Sequence, residues 1–293
     1  MDPKNNTELI RRARVLKIII GAAVAAAPMA FLLNYAFESR AADGKPLTGS
    51  FVTRLGEHRC EKLPDASQVC LNTNTAVRYT FNRHTRNVEL IYGEASFAVQ
   101  NGDHRPFDVL SGDLLVHDLS TSFNIYKKDH STIVTVISGH VKVAAPVRAT
   151  LAKGFKEGAV ETVWERAPDF YQLQQAEFDE ITRTLYARRA LAQEDLYRLT
   201  AWQQGRIALN GKTLRDALVE FSRYQPIEKI NIRDRTLRDI HVGGEFLVSN
   251  FMDFLDSLEY SQQIHHEVKK GADGRMTVTV TRERVARVHP SGK

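Results

Sequence analysis

Twenty consecutive residues without a charge, Ile18–Phe37 (IIIGAAVAAAPMAFLLNYAF), constrain this chain more than any other feature. As a helix rising about 1.5 Å per residue they span about 30 Å, the hydrocarbon thickness of a bilayer. Pro28 and Asn34 fit inside such a helix where neighbouring groups satisfy the backbone. Lys4, Arg11, Arg12, Arg14 and Lys17 precede it, and Glu38, Arg40 and Asp43 follow. The bias of basic residues toward the cytoplasmic side then keeps residues 1–17 inside and exports the rest. A cleaved signal peptide is the alternative, since Ser39-Arg40-Ala41 loosely resembles a small-x-small cleavage site. Signal peptides, however, carry apolar regions of only about 7–15 residues, so a retained single-pass helix is the expectation.

Export changes the meaning of both charge and cysteine. The net charge is +5, but the first seventeen residues carry five basic and two acidic side chains, leaving +2 on the other 276. That balance leaves no nucleic-acid footprint, and topology with anionic lipid accounts for the basic tail. The chain has two cysteines, Cys60 and Cys70, ten residues apart around the turn-forming run Pro64-Asp65-Ala66-Ser67. Folding the segment about Asp65 sets the cysteines opposite each other on paired strands. In an oxidising compartment they would form a disulfide; two buried thiols on adjacent strands are the alternative reading. Too few further ligands exist to complete a zinc tetrahedron with them.

After a linker over 38–50, residues 51–150 read as short strands separated by turns. VELIYGEASFAV from Val88 and VTVISGHVKVAA from Val134 resemble each other at an offset of 46 residues. Each alternates apolar positions, meets Gly93 or Gly139, and alternates again, as a strand bending at glycine would. The expectation is an antiparallel all-β domain of jelly-roll or β-solenoid type. Residues 151–200 read as a helical connector, with Phe178, Ile181 and Leu185 on one helical face, or as a surface helix of a neighbouring domain. Residues 201–281 read as a C-terminal α+β domain of two β-α-β units, followed by a tail over 282–293. Its helices present Leu214, Ala217, Leu218 and Phe221, then Phe251, Phe254, Leu255 and Leu258, and Thr213 with Asp216 is spaced like a cap.

Catalytic motifs are absent: there is no GxSxG elbow, phosphate-binding loop, GxGxxG fingerprint or HExxH helix. His265-His266-Glu267 alternates across a strand, so at most one histidine shares a face with Glu267. His117-Asp118 has the same weakness, and His58 and His84 have no identifiable partner. Asp65 and Ser67 are explained by the turn, and Trp202 by a core or domain-joint anchor. No cofactor and no metal site is expected, and the chain reads as a binding or signalling protein. Val242, Phe246, Leu247 and Val248, in the segment Val242–Val248 interrupted by Gly243-Gly244, are with the neighbouring helix the candidate partner-binding residues at a sheet edge.

The runs LGEHR, LPDASQVCLNTNTAV, VELIYGEASFAV, RPFDVLSGD, STSFNIY and VTVISGHVKV resemble the periplasmic domain of FecR-type proteins. These are inner-membrane regulators of cell-surface signalling in ferric-siderophore uptake. The run WxxGRIALNGKTLRDAL, with FSRYQPI, NIRD and VGGEF, is similar to their terminal module, which resembles the short N-terminal domain of secretins and TonB-dependent receptors. The likeness covers about residues 50–155 and 201–281. It implies a bacterial inner-membrane protein, anchored once with its N-terminus cytoplasmic and its bulk periplasmic. Its terminal module would bind the signalling domain of a TonB-dependent outer-membrane receptor, and the signal would reach an extracytoplasmic-function sigma factor. Such regulators carry a cytoplasmic sigma-binding domain ahead of the membrane segment; with seventeen residues before Ile18 in this sequence, the expectation is that the cytoplasmic half is encoded as a separate cytoplasmic regulator, that the start lies further upstream, or that only the periplasmic function is kept. The two cysteines are not a family feature. A non-signalling envelope scaffold built from the same modules is the alternative function.

Overall fold

The computed structural model describes residues 45–282, apart from 120, 148–162, 165 and 189. The expected membrane helix over 18–37 lies outside these. No helix among the described residues is long and apolar enough to cross a membrane.

One strand organises the first module. β5 (Arg86–Ala98) runs thirteen residues, and its two ends belong to different halves of a curled thirteen-stranded sheet. Arg86–Tyr92 pairs antiparallel with β4 (Ala76–Phe81), and Arg86–Glu89 pairs in parallel with β6 (Phe107–Ser111). Beyond Gly93 the strand pairs with β3 (Gln68–Leu71) and β8 (Ser122–Lys127). Gly93 has φ +89°, and an added Cβ would lie 2.2 Å from Thr75 Oγ1, so no other residue fits the bend. The first half-sheet runs β1 (Leu47–Val52), β4, β5, β6, β7 (Leu114–Asp118), β10 (His140–Ala144), β11 (Asp169–Tyr171). The second runs β2 (Arg59–Lys62), β3, β5, β8, β9 (Ser131–Ser138), β12 (Gln175–Asp179), β13 (Thr184–Ala187).

The internal repeat therefore has a structural meaning. Its first copy crosses between half-sheets at Gly93; its second, β9–Gly139–β10, crosses back at another glycine with positive φ. Alternation along each strand sends one face inward. Phe81 and Phe107 from the first half meet Phe97 and Phe123 from the second, with Phe97 at 6.3 Å from Phe107 and 5.2 Å from Phe123, centroid to centroid. All four are fully buried, each burial contributing roughly 1.5–3 kcal/mol. The all-β expectation holds, with the parallel β5–β6 pair as an exception to its antiparallel character.

The helical reading of the connector is corrected over its described part. Phe178 and Leu185 do not share a helix face; they sit opposite each other in the register of β12 with β13, and Ile181 lies in the turn between. Phe178 is fully buried in the sandwich core. Val163 and Trp164 are helical, and the next helix among the described residues is α1 (Gln193–Thr200).

Cys60 and Cys70 face each other in the register of β2 with β3 and are disulfide-bonded. The turn between them is pinned from inside. Asp65 accepts from the Ser67 amide at 3.0 Å and from Arg86 Nη1 at 2.8 Å, and the Arg86 guanidinium also donates to the Arg105 carbonyl. Both side chains of the Arg86–Asp65 pair are buried.

In the C-terminal module, β14 (Arg206–Ala208) and β15 (Lys212–Thr213) lead into α2 (Leu214–Ser222). Thr213 caps it, its hydroxyl accepting from the Asp216 amide, and Leu214, Ala217, Leu218 and Phe221 form its buried stripe. After β16 (Ile227–Ile232), β17 (His241–Val242) and β18 (Glu245–Leu247), α3 (Phe251–Gln262) buries Phe251, Phe254, Leu255 and Leu258. β19 (His265–Lys270) and β20 (Met276–Thr281) close the module. The α+β reading holds, but the units are not closed β-α-β pairs. β14 pairs with β18, β15 with β17, and β16 lies parallel to β20, so three pairings join the two units, while β19 pairs with β20 inside the second. The first unit has no strand pair of its own among the described residues, and the second has only β19–β20.

Replacing Cys60 and Cys70 with serine should lower stability by about 2–3 kcal/mol in the chain-entropy account of a short closed loop. Guanidinium unfolding of the double variant, beside the parent with and without reductant, checks this.

Candidate functional site

Two places carry the chemistry of this molecule: the β17–β18 segment named from the sequence, and the joint where the two modules meet.

Along the segment Val242–Val248, inside–outside alternation sorts the four candidate residues. Val242 (3% exposed) and Val248 (5% exposed) belong to the core, which removes them as surface contacts. Phe246 also turns inward, its ring 5.4 Å from Phe254 and 6.2 Å from Phe221. It closes over Gly244 (φ +114°), where an added Cβ would lie 2.9 Å from the ring. Leu247, on the opposite face, is 48% exposed. β18 pairs with β14 on one side, and no strand lies on its other side among the described residues. Of the four, Leu247 alone is exposed, at an open strand edge.

The joint was not found from the sequence. Its centre is Glu94, one residue past the Gly93 bend and the buried carboxylate of β5. Glu94 accepts from Asn72 Nδ2 at 2.8 Å, from Asn124 Nδ2 at 2.9 Å, and from Arg223 Nη2 of the other module. Arg223 lies at the end of α2 with its guanidinium 4.1 Å above the Tyr126 ring, and also donates to Glu220 at 2.8 Å. Asn72 donates to the Tyr224 hydroxyl at 2.9 Å, and the Thr73 hydroxyl to the Arg223 carbonyl at 3.0 Å. Cys70 packs within the apolar cluster of the C-terminal module, so the disulfide buttresses the same contact. Trp202, read as an anchor, belongs to that cluster and is 4% exposed.

The electrostatics follow from burial and pairing. Burial alone would favour a neutral guanidine, but Glu94 and Glu220 hold Arg223 well above the usual arginine value. Burial likewise opposes the Glu220 carboxylate, yet Arg223 and Lys212, the latter 2.8 Å away, keep it below its ordinary value. Burial pushes the Tyr224 phenol up, so it remains a neutral acceptor for Asn72.

The histidines set aside above have structural contacts. His265 meets Glu259 of α3 at 3.0 Å, and His266 lies 3.6 Å from Asp256 and Glu259. Both tie β19 to α3 rather than to Glu267. His117 contacts buried Asp108 at 2.7 Å and packs on Trp164. His58 sits against Gly205 at the joint.

Arg223→Ala strands the Glu94 charge and should cost about 3–5 kcal/mol, more than the paired Glu94→Gln/Arg223→Met variant, by denaturant unfolding. Glu220 adds a pH signature. Its folded value is depressed, so its stabilisation is present above the ordinary value of 4.5 and is lost as pH falls through the folded value. Acid unfolding of Glu220→Gln should lack that component.

Comparison with known proteins places this geometry. Residues 50–142 match the family model described as FecR protein. Two crystal structures of a "putative anti-sigma factor" from Parabacteroides distasonis ATCC 8503 are similar over both modules. The 2.50 Å structure is 25% identical with a TM-score of 0.56, covering 80% of this chain and all of that one. The 1.65 Å structure is 24% identical with a TM-score of 0.57, covering 80% of this chain and 99% of that one. No curated protein matches.

Proposed function

We propose that this chain, whose residues 50–142 match the FecR family model, is a non-enzymatic signalling regulator acting as a membrane-anchored periplasmic relay. Its terminal module receives the signalling domain of a TonB-dependent outer-membrane receptor, and its output is control of an extracytoplasmic-function sigma factor. The observation that carries this reading is the pairing of a FecR domain with the two-module arrangement of the anti-sigma-factor structures. Ile18–Phe37 supports the anchor by its length and lack of charge.

The open edge of β18 supports the site of reception. An incoming strand would extend the β14–β18 pair through backbone hydrogen bonds, and Leu247 would supply the apolar contact. Phe246 stays inside as part of the platform and is a poor probe, because a charge there would break the core.

Leu247→Lys should leave the melting temperature unchanged and weaken binding of the receptor signalling domain about tenfold, roughly 1.4 kcal/mol, in a calorimetric titration. Unchanged affinity moves the contact away from β18. Failure of the parent chain to bind any receptor signalling domain of its own organism, or a sigma-dependent reporter indifferent to deletion of the gene, overturns the relay.

A further inference from the structure

Between the sandwich and the C-terminal module lies a cleft of about 500 Å³, within the size range of small-molecule sites. The outer face of the second half-sheet forms one wall, through β8, β9 and β12. The other wall is α1, the turn carrying Trp202, and β14.

Its charge is uneven. Six cations line it (Lys128, Arg188, Arg198, Arg206, Lys212, Arg223) against three carboxylates (Glu94, Asp195, Glu220). Five of the six have carboxylate partners. Arg198 pairs with Asp195, Lys212 with Glu220 and Arg223 with Glu94, while Arg188 and Arg206 reach Glu177 and Glu245, which lie outside the lining. Lys128 is the remaining cation: no carboxylate lies within ion-pair distance of it among the described residues, and its Nζ stands 5.3 Å above the Tyr126 ring. Burial pushes this ammonium below its usual value, Glu177 opposes that, and Arg188 and Arg223 add to it. An anion beside Lys128 would relieve that repulsion.

The walls carry two further unmet demands. Trp202 Nε1, a donor, and Asn124 Oδ1, an acceptor, stand on opposite sides and are buried with no hydrogen-bond partner in the protein. Both side chains are more than nine-tenths buried. Leu191, Leu199 and Ile133 supply apolar surface between them. Buried polar groups ordinarily find a partner, so a pair left open on one cleft marks a place for a molecule with polar atoms of its own.

We propose that this cleft binds a small organic anion, its acidic group held by Lys128 and its flat apolar body lodged against Leu191 and Leu199. The site spans both modules, so its ligand would stabilise their docked arrangement. It is separate from the β18 edge, and receptor binding can fail without touching it.

The probe is 6-hydroxy-2-naphthoate, with the uncharged 6-hydroxy-2-naphthamide as its isostere, titrated calorimetrically into the full chain in an uncharged detergent with protein-free micelles subtracted. The naphthoate should saturate at one per chain, at least tenfold tighter than the amide. Lys128→Glu, at an exposed position, should abolish that preference. Leu191→Trp, which fills the cleft without changing charge, should weaken both probes tenfold or more. Equal affinity for acid and amide, no saturable binding, or wild-type affinity in either variant with unchanged melting overturns the proposal.

Discussion

The arrangement of this molecule depends on one buried ion pair. Glu94 and Arg223 come from modules that each have their own apolar cluster, and they meet largely buried at the wall of the cleft. A buried pair gains little over an apolar contact, because desolvation offsets most of the attraction. Its effect is geometric. The docking seen here lets Glu94 accept from Asn72, Asn124 and Arg223 together while Arg223 also reaches Glu220 and covers Tyr126. A slip leaves a largely buried charge without its partner. The cleft and the orientation of the β18 edge relative to the sandwich both follow from that docking.

What was legible in the sequence was local. The stripes of α2 and α3, the Thr213 cap and the glycine bends at 93 and 139 depend on neighbours within a few residues. The register of Cys60 with Cys70 was legible because one short turn fixes it. The connector was misread for an instructive reason. Phe178 and Leu185 are seven apart, a spacing that fits two helical turns and equally fits partners across a hairpin. Periodicity cannot separate the two, and pairing with β9 decided it.

The joint was hidden because its members are dispersed along the chain. Asn72, Glu94, Asn124 and Arg223 share no motif, and the faint signal was a carboxylate inside an alternating apolar run, just past a glycine. The same dispersal hides the cleft: near-neutral overall charge beyond residue 17 conceals six cations gathered by folding. Among the four edge residues, knowing that the segment is extended was insufficient. Which face turns inward was set by Phe221 and Phe254, more than a strand's length away in sequence.

The bend at Gly93 has a consequence for how the chain reaches its final state. Contacts across the joint link residues 129 to 152 positions apart. Loop closure over such distances is slow unless its ends are already presented by formed structure. Glu94 is presented only once β5 has joined both half-sheets, and Arg223 only once α2 has closed on its strands. Docking is therefore the last step of assembly. Before it, the unpaired carboxylate and guanidinium remain hydrated, and a mismatched closure would have to desolvate both without the pairing that offsets the cost.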